Sequence, residues 1–315
     1  MIRWFLLFIL GIVPLFAEPE VSVEVGPETG LKNPFGVAFD EDGGMYIAEY
    51  KGGRLWRWCG SKLHRLAEDV NWDGMHNVCR TAAGDLYISD TRNNLVRKVD
   101  GKTGETTIVA GTRKAGFNGD GVPAVSAQLN DPISISLSPD DKRLYVADIR
   151  NRRARVINLE TGIINTVAGN GEKGSPVDGA VASRSPLRDP RAVEEDSNGC
   201  IYILERSGHR LRVVRPGGTI HTVAGTGKPH AADGPGLSAG LNGPKHLCMD
   251  ADGSVIIADA ENHLIRRYDP ESGKLTTILG HGKIKLNRPH GVWVDEAGTL
   301  WVCDSWNDRV LKVVR

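Results

Sequence analysis

Three histidines and two cationic side chains occupy corresponding places in a repeated sequence pattern, one or two residues after the start of a copy. They are His76, His246, His290, Arg191 and Lys245. Neutral imidazoles bind zinc, and a bound zinc ion activates water or polarises a substrate oxygen. Arginine and lysine side chains pair with anionic groups. If the fold brings these residues together, the sequence predicts either a zinc site or a site for an anionic ligand.

Aromatic side chains accompany these polar residues. Tyr50, Trp72 and Trp306 lie beside the same repeat positions in the first, second and sixth copies. Aromatic rings stack on small ligands, so with the histidines and cations they would form a pocket for a polar or anionic ligand. In the alternative interpretation, the tryptophans pack on neighbouring loops and the histidines bond backbone groups. His246 is one position out of register with His76 and His290. Because neighbouring strand residues point to opposite faces, its side chain would then point away from the pocket.

One pattern recurs six times and must position these residues. Each copy begins at a turn, continues with a short apolar run and an Asp/Gly turn, and ends with a strand that closes on an acid. The copies begin at Asn33-Pro34, Gly74-Met75, Asp131-Pro132, Asp189-Pro190, Gly243-Pro244 and Arg288-Pro289. Their terminal acids are Glu49, Asp90, Asp148, Glu205, Asp259 and Asp304. Neighbouring acids are 41 to 58 residues apart by subtraction of their numbers, a period typical of propeller blades.

Alternating apolar residues and turn residues predict four short strands in each copy. In the second copy these strands cover residues 78–81, 85–89, 95–99 and 106–110. The sixth copy has only three, while residues 21–25 form an alternating strand outside any copy. An open ring would expose unpaired backbone groups, so the N-terminal strand is expected to complete the last blade. The predicted fold is all-β, a six-bladed β-propeller of four-stranded blades.

A tripeptide gives the chain a family resemblance. Asn262-His263-Leu264 follows the acid of the fifth copy, and this tripeptide names the NHL repeat. Copies two, three and six carry variants of the motif, whereas copies one and four depart from it. The departures are Glu49 and Glu205 in place of Asp, and Gly52 and Gly208 in place of Asn. The chain therefore resembles a six-bladed NHL propeller over residues 18–315.

The resemblance implies where the candidate residues lie. In NHL propellers, the loops into the inner strands and the loops after the terminal acids emerge on one face, so the histidines, cations and aromatics would share a surface. The acids themselves are predicted to be structural, because short polar side chains satisfy backbone groups in turns. The motif thus supplies the scaffold, and the pocket depends on the residues around it.

Three of the incoming loops are long, and each contains an Asp-Gly pair. They cover residues 111–131, 169–189 and 225–243, and their aspartates are Asp120, Asp178 and Asp233. Alanines three residues apart predict a short helix in each loop. One acid per loop is few for calcium, which takes six to eight oxygen ligands. The sequence requires no cofactor, and zinc and calcium are the two alternatives that it offers.

Charge and the N-terminus limit the partners and location. The chain has 315 residues, with 39 Lys and Arg against 39 Asp and Glu, and a neutral chain argues against a nucleic-acid partner. Arg3, an uncharged apolar stretch over residues 4–16 and Ala17 predict a secretory signal peptide over residues 1–17. Residues 18–315 are then one secreted or periplasmic domain, monomeric and without a membrane span. An uncleaved anchor is the alternative, although 13 residues (16 − 4 + 1) are short for a span.

Two functions fit these observations. The favoured one is a binding scaffold for a small polar or anionic ligand, a glycan or a protein, because HExxH and the phosphate-binding pattern GxxxxGK[ST] are absent. The alternative is a zinc-dependent lyase or hydrolase at the channel mouth. This alternative rests on similarity to the peptidylglycine amidating lyases and gluconolactonase-like propellers, which hold a metal ion there. His76, His290 and His246 would bind the metal, and Arg191 or Lys245 would hold an anionic substrate group.

Overall fold

The computed structural model describes residues 19–315, so the predicted signal peptide lies outside the described residues. Six antiparallel sheets are arranged as the blades of a propeller, four with four strands and two with five. The first described strand is β1 (Glu20–Val25). Within residues 19–315, no helix is long and apolar enough to cross a membrane.

Each blade begins at the channel and runs outward through hairpins. Blade one contains β2 (Pro34–Phe39), β3 (Met45–Glu49), β4 (Arg54–Trp58) and β5 (Leu63–Leu66). Blade two contains β6 (Met75–Arg80), β7 (Leu86–Asp90), β8 (Leu95–Val99) and β9 (Thr106–Ala110). Blade three contains β10 (Val122–Pro123), β11 (Pro132–Leu137), β12 (Arg143–Asp148), β13 (Arg153–Asn158) and β14 (Ile163–Ala168).

The second half of the ring repeats this arrangement. Blade four contains β15 (Pro190–Glu195), β16 (Ile201–Glu205), β17 (Arg210–Val214) and β18 (Ile220–Ala224). Blade five contains β19 (Gly234–Pro235), β20 (His246–Met249), β21 (Val255–Asp259), β22 (Leu264–Asp269) and β23 (Lys274–Leu279). Blade six contains β24 (Gly291–Val294), β25 (Leu300–Asp304) and β26 (Arg309–Val314). The short strands β10 and β19 come from two of the long loops and pair with the outer strands β14 and β23.

The N-terminal strand closes the ring, which confirms the predicted fold. β1 pairs antiparallel with β26, with Val21 opposite Val313 and Val23 opposite Leu311. Val25 is fully buried in an apolar cluster that joins blades six and one. The innermost strands contact one another around the channel, and β24 contacts β2. The outer edge of blade six is therefore paired rather than exposed.

The core is divided among the gaps between blades. Six apolar clusters fill these gaps, each built from two neighbouring blades. The predicted helix appears as one 3-10 turn in each of the first two long loops, at Ala124–Ser126 and Ala182–Arg184. The third long loop has no helix, and Gly236 stands in it where the first loop has Ala124. Glycine costs more conformational entropy than alanine in a helical turn.

The terminal acids are structural, as predicted. Asp259 is fully buried and accepts hydrogen bonds from the backbone N–H of Asn242 (2.7 Å) and from Asn262 Nδ2 (2.7 Å). Arg266, also fully buried, donates to Asp259 at 3.1 Å. Each of the other five acids likewise pairs with an arginine of the third strand of its blade. The acid therefore ties the incoming loop, the turn and the third strand of a blade together.

Candidate functional site

A narrow cavity lies in the channel where the innermost strands begin. His76, His246, His290, Arg191 and Lys245 all line it, so the structure brings these five predicted residues together. The remaining lining residues are Phe35, Asn77, Ile133 and Ser134. Its accessible volume is about 10 Å³, roughly the room that one water molecule needs. We call this cavity the mouth. An anionic group that enters the mouth must therefore be small.

A repeated backbone turn aims these side chains at the channel. The first residue of each repeat copy, one to three residues before the inner strand, has a left-handed conformation, with φ between 45° and 66°. Glycine, asparagine and aspartate adopt this conformation most readily, and five of the six residues are of these types. They are Asn33, Gly74, Asp131, Asp189, Gly243 and Arg288. The turn places the second residue after it, which is His76, Arg191, Lys245 or His290 in four of the blades, at the mouth.

Arg191 is a buried cation that has no polar partner among the described residues. Only 5% of its surface is exposed, and within residues 19–315 its guanidinium makes no hydrogen bond and no ion pair. Its Nε is shut off from solvent. Burial and the nearby charge of Arg206 lower the pKa of Arg191 to about 10. Because an unpaired buried charge is costly, a bound anion would stabilise this guanidinium.

Lys245 is a second cation in the same cavity and is only partly compensated. Its Nζ lies 3.2 Å from Glu261 Oε1, and the same oxygen accepts a hydrogen bond of 2.5 Å from Arg288 Nη2. Burial and the charge of Arg191 lower the pKa of Lys245 to about 8. One carboxylate therefore serves two cations, while Arg191 has none. The mouth carries an excess of positive charge.

The two histidines in register have the same hydrogen-bonding pattern. His76 Nδ1 lies 2.8 Å from the carbonyl oxygen of Gly74, and His290 Nδ1 lies 2.9 Å from that of Arg288. A carbonyl only accepts, so Nδ1 carries the proton and Nε2 keeps its lone pair. Burial and the charge of Arg191 hold the pKa of both imidazoles well below the usual value of 6.5. Both rings are therefore neutral acceptors at the mouth.

His246 differs from the other two histidines. Its Nε2 lies 2.7 Å from Asn77 Nδ2, so this nitrogen is already engaged. Burial and Arg191 lower the pKa of His246 to about 4. Among the described residues, no group of three or more His, Cys, Asp or Glu side chains is arranged to hold a metal ion. The predicted zinc site has two available imidazoles in a cavity that also holds two cations.

The three predicted aromatic residues lie at different distances from the cavity. Tyr50 stacks on Phe35 at 4.5 Å between ring centroids, and Phe35 stacks on His290 at 3.9 Å. Trp306 is 53% exposed and lies over the guanidinium of Arg288. Trp72 is buried in the apolar cluster between blades one and two, and its indole N–H donates to a backbone carbonyl. Tyr50 thus extends the wall of the site, whereas Trp72 packs in the core and does not line the cavity.

The Asp-Gly aspartates of the long loops contact buried arginines. Asp120 accepts from Arg155, and Asp233 accepts from Arg266 at 2.7 Å. Asp178 lies 4.0 Å from Arg212 and accepts from the backbone and hydroxyl of Thr222. These arginines are the ones that pair with the terminal acids of their blades. Calcium by way of these aspartates stays an untested prediction, and their contacts give them a structural role.

Sequence reasoning missed three residues of the site. Asn77 and Ser134 also line the cavity. Each directly follows the repeat position held by His76 in blade two, and His246 has the same place in blade five. Glu261, two residues after Asp259, bridges Lys245 and Arg288. The shared repeat position of Asn77, Ser134 and His246 is a signal that could have identified the first two. The Glu261 bridge joins two blades, and no local pattern predicts it.

The fold and the repeat sequences define the class of protein. Two segments, residues 241–268 and 286–313, match the family model described as NHL repeat. These segments cover most of blades five and six. The chain is a six-bladed β-propeller, and these two segments of it match the NHL repeat.

Known proteins share this architecture. The chain is 23% identical over 270 residues to NHL repeat-containing protein 2 of Gallus gallus, and the match covers 73% of the chain but 37% of that relative. An auxiliary nutrient binding protein from Bacteroides thetaiotaomicron superposes with a TM-score of 0.71 at 14% identity, over 94% of this chain and 76% of that one. Virginiamycin B lyase from Staphylococcus aureus gives a TM-score of 0.64 at 13% identity, over 95% and 100%. These structures share the fold.

Proposed function

We propose that the protein is a ligand-binding propeller that takes the anionic group of a small ligand into the channel mouth. The observation that carries this proposal is the buried guanidinium of Arg191, which has no partner within residues 19–315. Lys245 adds a second cationic donor, while the rings of His76 and His290 are neutral and add no net charge. A bound anion would offset the desolvation cost of Arg191.

The shape of the mouth supports a small anionic group attached to a larger body. The cavity itself has room for little more than a water molecule, so it would admit one oxygen atom of an anionic group such as a carboxylate. Trp306 is 53% exposed and offers a ring face to the rest of the ligand, whereas Phe35 and the guanidinium of Arg92 lie against the ring of Tyr50. A sugar acid, an anionic glycan or an acidic side chain of a partner protein presents such a group. One structural neighbour is described as a nutrient binding protein, which agrees with a binding role.

The test is a carboxylate titration. Acetate and D-glucuronate are added to residues 18–315 at constant ionic strength, and affinity is measured by calorimetry. We expect Arg191→Gln to weaken binding at least about tenfold, because it removes a charge-assisted hydrogen bond worth more than about 1.4 kcal/mol. Arg65→Gln removes one charge from an exposed residue without an ion pair in the described structure and is the matched control. Equal losses in both variants would show general charge screening instead of a site.

The affinity for the anion should depend on pH through Lys245. The pKa of its ammonium group is about 8 in the folded protein. Raising the pH from 7 to 9.5 removes this charge, so we expect affinity to fall by up to about tenfold. Lys245→Arg keeps the charge and should flatten the profile. A wild-type profile that stays flat over this range contradicts a role for Lys245.

The same pKa shift has an opposite effect on the unliganded protein. The usual lysine pKa of 10.5 applies to the unfolded chain, which therefore binds more protons than the folded chain between pH 8 and 10.5. Stability contributed by this residue thus rises with pH in this window. As the pH rises, anion affinity is expected to fall while the stability of the unliganded protein rises. A loss of affinity in this window therefore cannot be caused by unfolding.

A zinc-dependent lyase or hydrolase is the second candidate function. The available Nε2 atoms of His76 and His290 favour it, and a structural neighbour is a lyase. The positive charges of Arg191 and Lys245 in the same cavity oppose a divalent cation, so the residues fit zinc poorly. Equilibrium dialysis against zinc, with a His76→Ala/His290→Ala double variant, decides between the candidates. One zinc per chain that the double variant loses would favour the enzyme.

We also propose that the protein is exported. Residues 1–17 have the composition of a secretory signal, and cleavage after Ala17 would leave Glu18 as the first residue of the propeller domain. N-terminal sequencing of the protein recovered outside the cytoplasm tests this. A chain that starts at Met1 in the membrane fraction would show a retained anchor.

A further inference from the structure

A second cationic cleft lies beside the channel mouth, between blades three and four. It is lined by Arg150, Arg152, Lys173, Asp189 and Arg206 with two smaller residues, and it has a volume of about 290 Å³. Arg150 and Arg206 follow the terminal acids of their blades, and Asp189 is two residues before Arg191. The cleft therefore opens on the same face as the mouth, and the two are linked by the segment from Asp189 to Arg191.

The charges of this cleft are only partly paired. Arg206 Nε lies 2.6 Å from Asp189 Oδ2, and Arg150 Nε binds Asp131 Oδ2. In both arginines only Nε is used, because within residues 19–315 their Nη groups make no hydrogen bond. Lys173 is exposed and has no ion pair in the described part of the chain. Four cations thus face one lining carboxylate, with several N–H donors unused.

The contacts of the cleft hold these donors in place. Arg152 Nη1 donates to the carbonyl oxygen of Gly171 at 3.1 Å, which ties the long loop that carries Lys173 to blade three. Asp131 and Asp189 stand at the left-handed positions before the inner strands, so the backbone turn fixes the carboxylates that orient Arg150 and Arg206. The unused guanidinium edges are therefore presented on a rigid frame. Guanidinium edges match the oxygens of phosphate and sulfate.

We infer that the cleft is a subsite for a tetrahedral oxyanion, the phosphate or sulfate ester of a ligand whose other anionic group enters the channel mouth. This inference rests on the proposed function for the link to the mouth, but binding of free oxyanion tests the cleft by itself. Arg206 also contributes to the positive potential felt by Arg191 and Lys245, so the two subsites form one cationic surface. A ligand with two anionic groups would use both.

The probes are inorganic phosphate and inorganic sulfate, titrated separately with chloride holding the ionic strength constant. We expect both to bind the wild-type protein, and Lys173→Gln and Arg206→Gln each to weaken binding about fivefold to tenfold. Arg184→Gln changes an exposed arginine of the same long loop, outside the cleft, and should change affinity by less than about twofold. Melting curves of each variant check that the fold is kept.

The outcomes separate the cleft from the mouth. The subsite is supported if Lys173→Gln and Arg206→Gln lose oxyanion affinity while Arg191→Gln keeps an affinity near that of the wild type. Loss in Arg191→Gln alone would place the oxyanion in the mouth, overturning the cleft and leaving the proposed function intact. Equal losses in all variants, Arg184→Gln included, or no binding by wild type at 50-fold excess over protein, overturn the inference. If the cleft binds oxyanion while acetate fails to bind, the proposed function fails and the cleft stands.

Discussion

Asparagine in place of Gly208 is expected to lower the free energy of unfolding by about 2–3 kcal/mol. A Cβ atom at this position would lie 2.7 Å from Cβ of Glu205 and 2.9 Å from its Oε2. Neither atom can retreat easily, because the Glu205 carboxylate is fully buried and accepts from Arg212 Nε (2.7 Å) and the Arg188 N–H (2.6 Å). Urea denaturation measures the loss.

Part of this cost should disappear when Glu205 is shortened in the same chain, because aspartate lacks the Oε2 atom at 2.9 Å but keeps the Cβ atom at 2.7 Å. In blade five, Asp259 leaves room for Asn262, whose amide donates to the carboxylate at 2.7 Å. Glu205→Asp/Gly208→Asn restores that arrangement in blade four. Glu205→Asp alone pulls the carboxylate from Arg212 and is destabilising. We therefore expect the double variant to be more stable than the sum of the single changes by about 1 kcal/mol.

Blade one provides the matched control for this cycle. Glu49 and Gly52 occupy the corresponding positions, and a Cβ atom at Gly52 would lie 2.7 Å from Glu49 Oε1. Gly52, however, has φ +126°, a conformation that side chains rarely adopt, whereas Gly208 has no such restriction. Glu49→Asp/Gly52→Asn should therefore stay destabilised. If the stability changes of the single variants simply add in blade four, as they are expected to in blade one, the steric explanation is contradicted.

The sequence shows that a terminal glutamate occurs together with a glycine three residues later, but it does not show the cause. The two copies with glutamate are also the two with glycine three residues later. The repeat and the alternation of apolar residues predicted six blades, and the lone strand over residues 21–25 predicted ring closure, because both depend on local pattern and backbone pairing. That a longer acid excludes a side chain three residues on requires the packed turn.

The candidate site likewise has a part that could be predicted from the sequence and a part that could not. His76, Arg191, Lys245 and His290 could be predicted because they occupy one repeat position, and equal positions in a ring meet at its axis. Trp72 was expected near them, but the short loop before blade two packs its indole between blades. The isolation of Arg191 could not be predicted, since it depends on which side chains every blade brings to the channel.

Replacing Arg191 with methionine is expected to stabilise the unliganded protein by about 1–3 kcal/mol while removing its response to anions. Methionine fills similar space without a charge to desolvate. The change also removes the repulsion between Arg191 and Lys245, so the pKa of Lys245 should rise from about 8. It removes one cause of the lowered pKa of His76 and His290 as well. Urea denaturation at pH 7, with and without acetate, measures both effects in one experiment.

Arg266→Met is the matched control, because Arg266 is equally buried but paired. It lies 3.1 Å from Asp259 Oδ2 and 2.7 Å from Asp233 Oδ1, and breaking such a pair costs about 3–5 kcal/mol. The two arginine variants should therefore change stability in opposite directions. If Arg191→Met is destabilised as Arg266→Met is, the guanidinium supports the fold and the anion site loses its basis. A more stable variant that no longer responds to acetate would identify Arg191 as a residue kept for binding at the expense of stability.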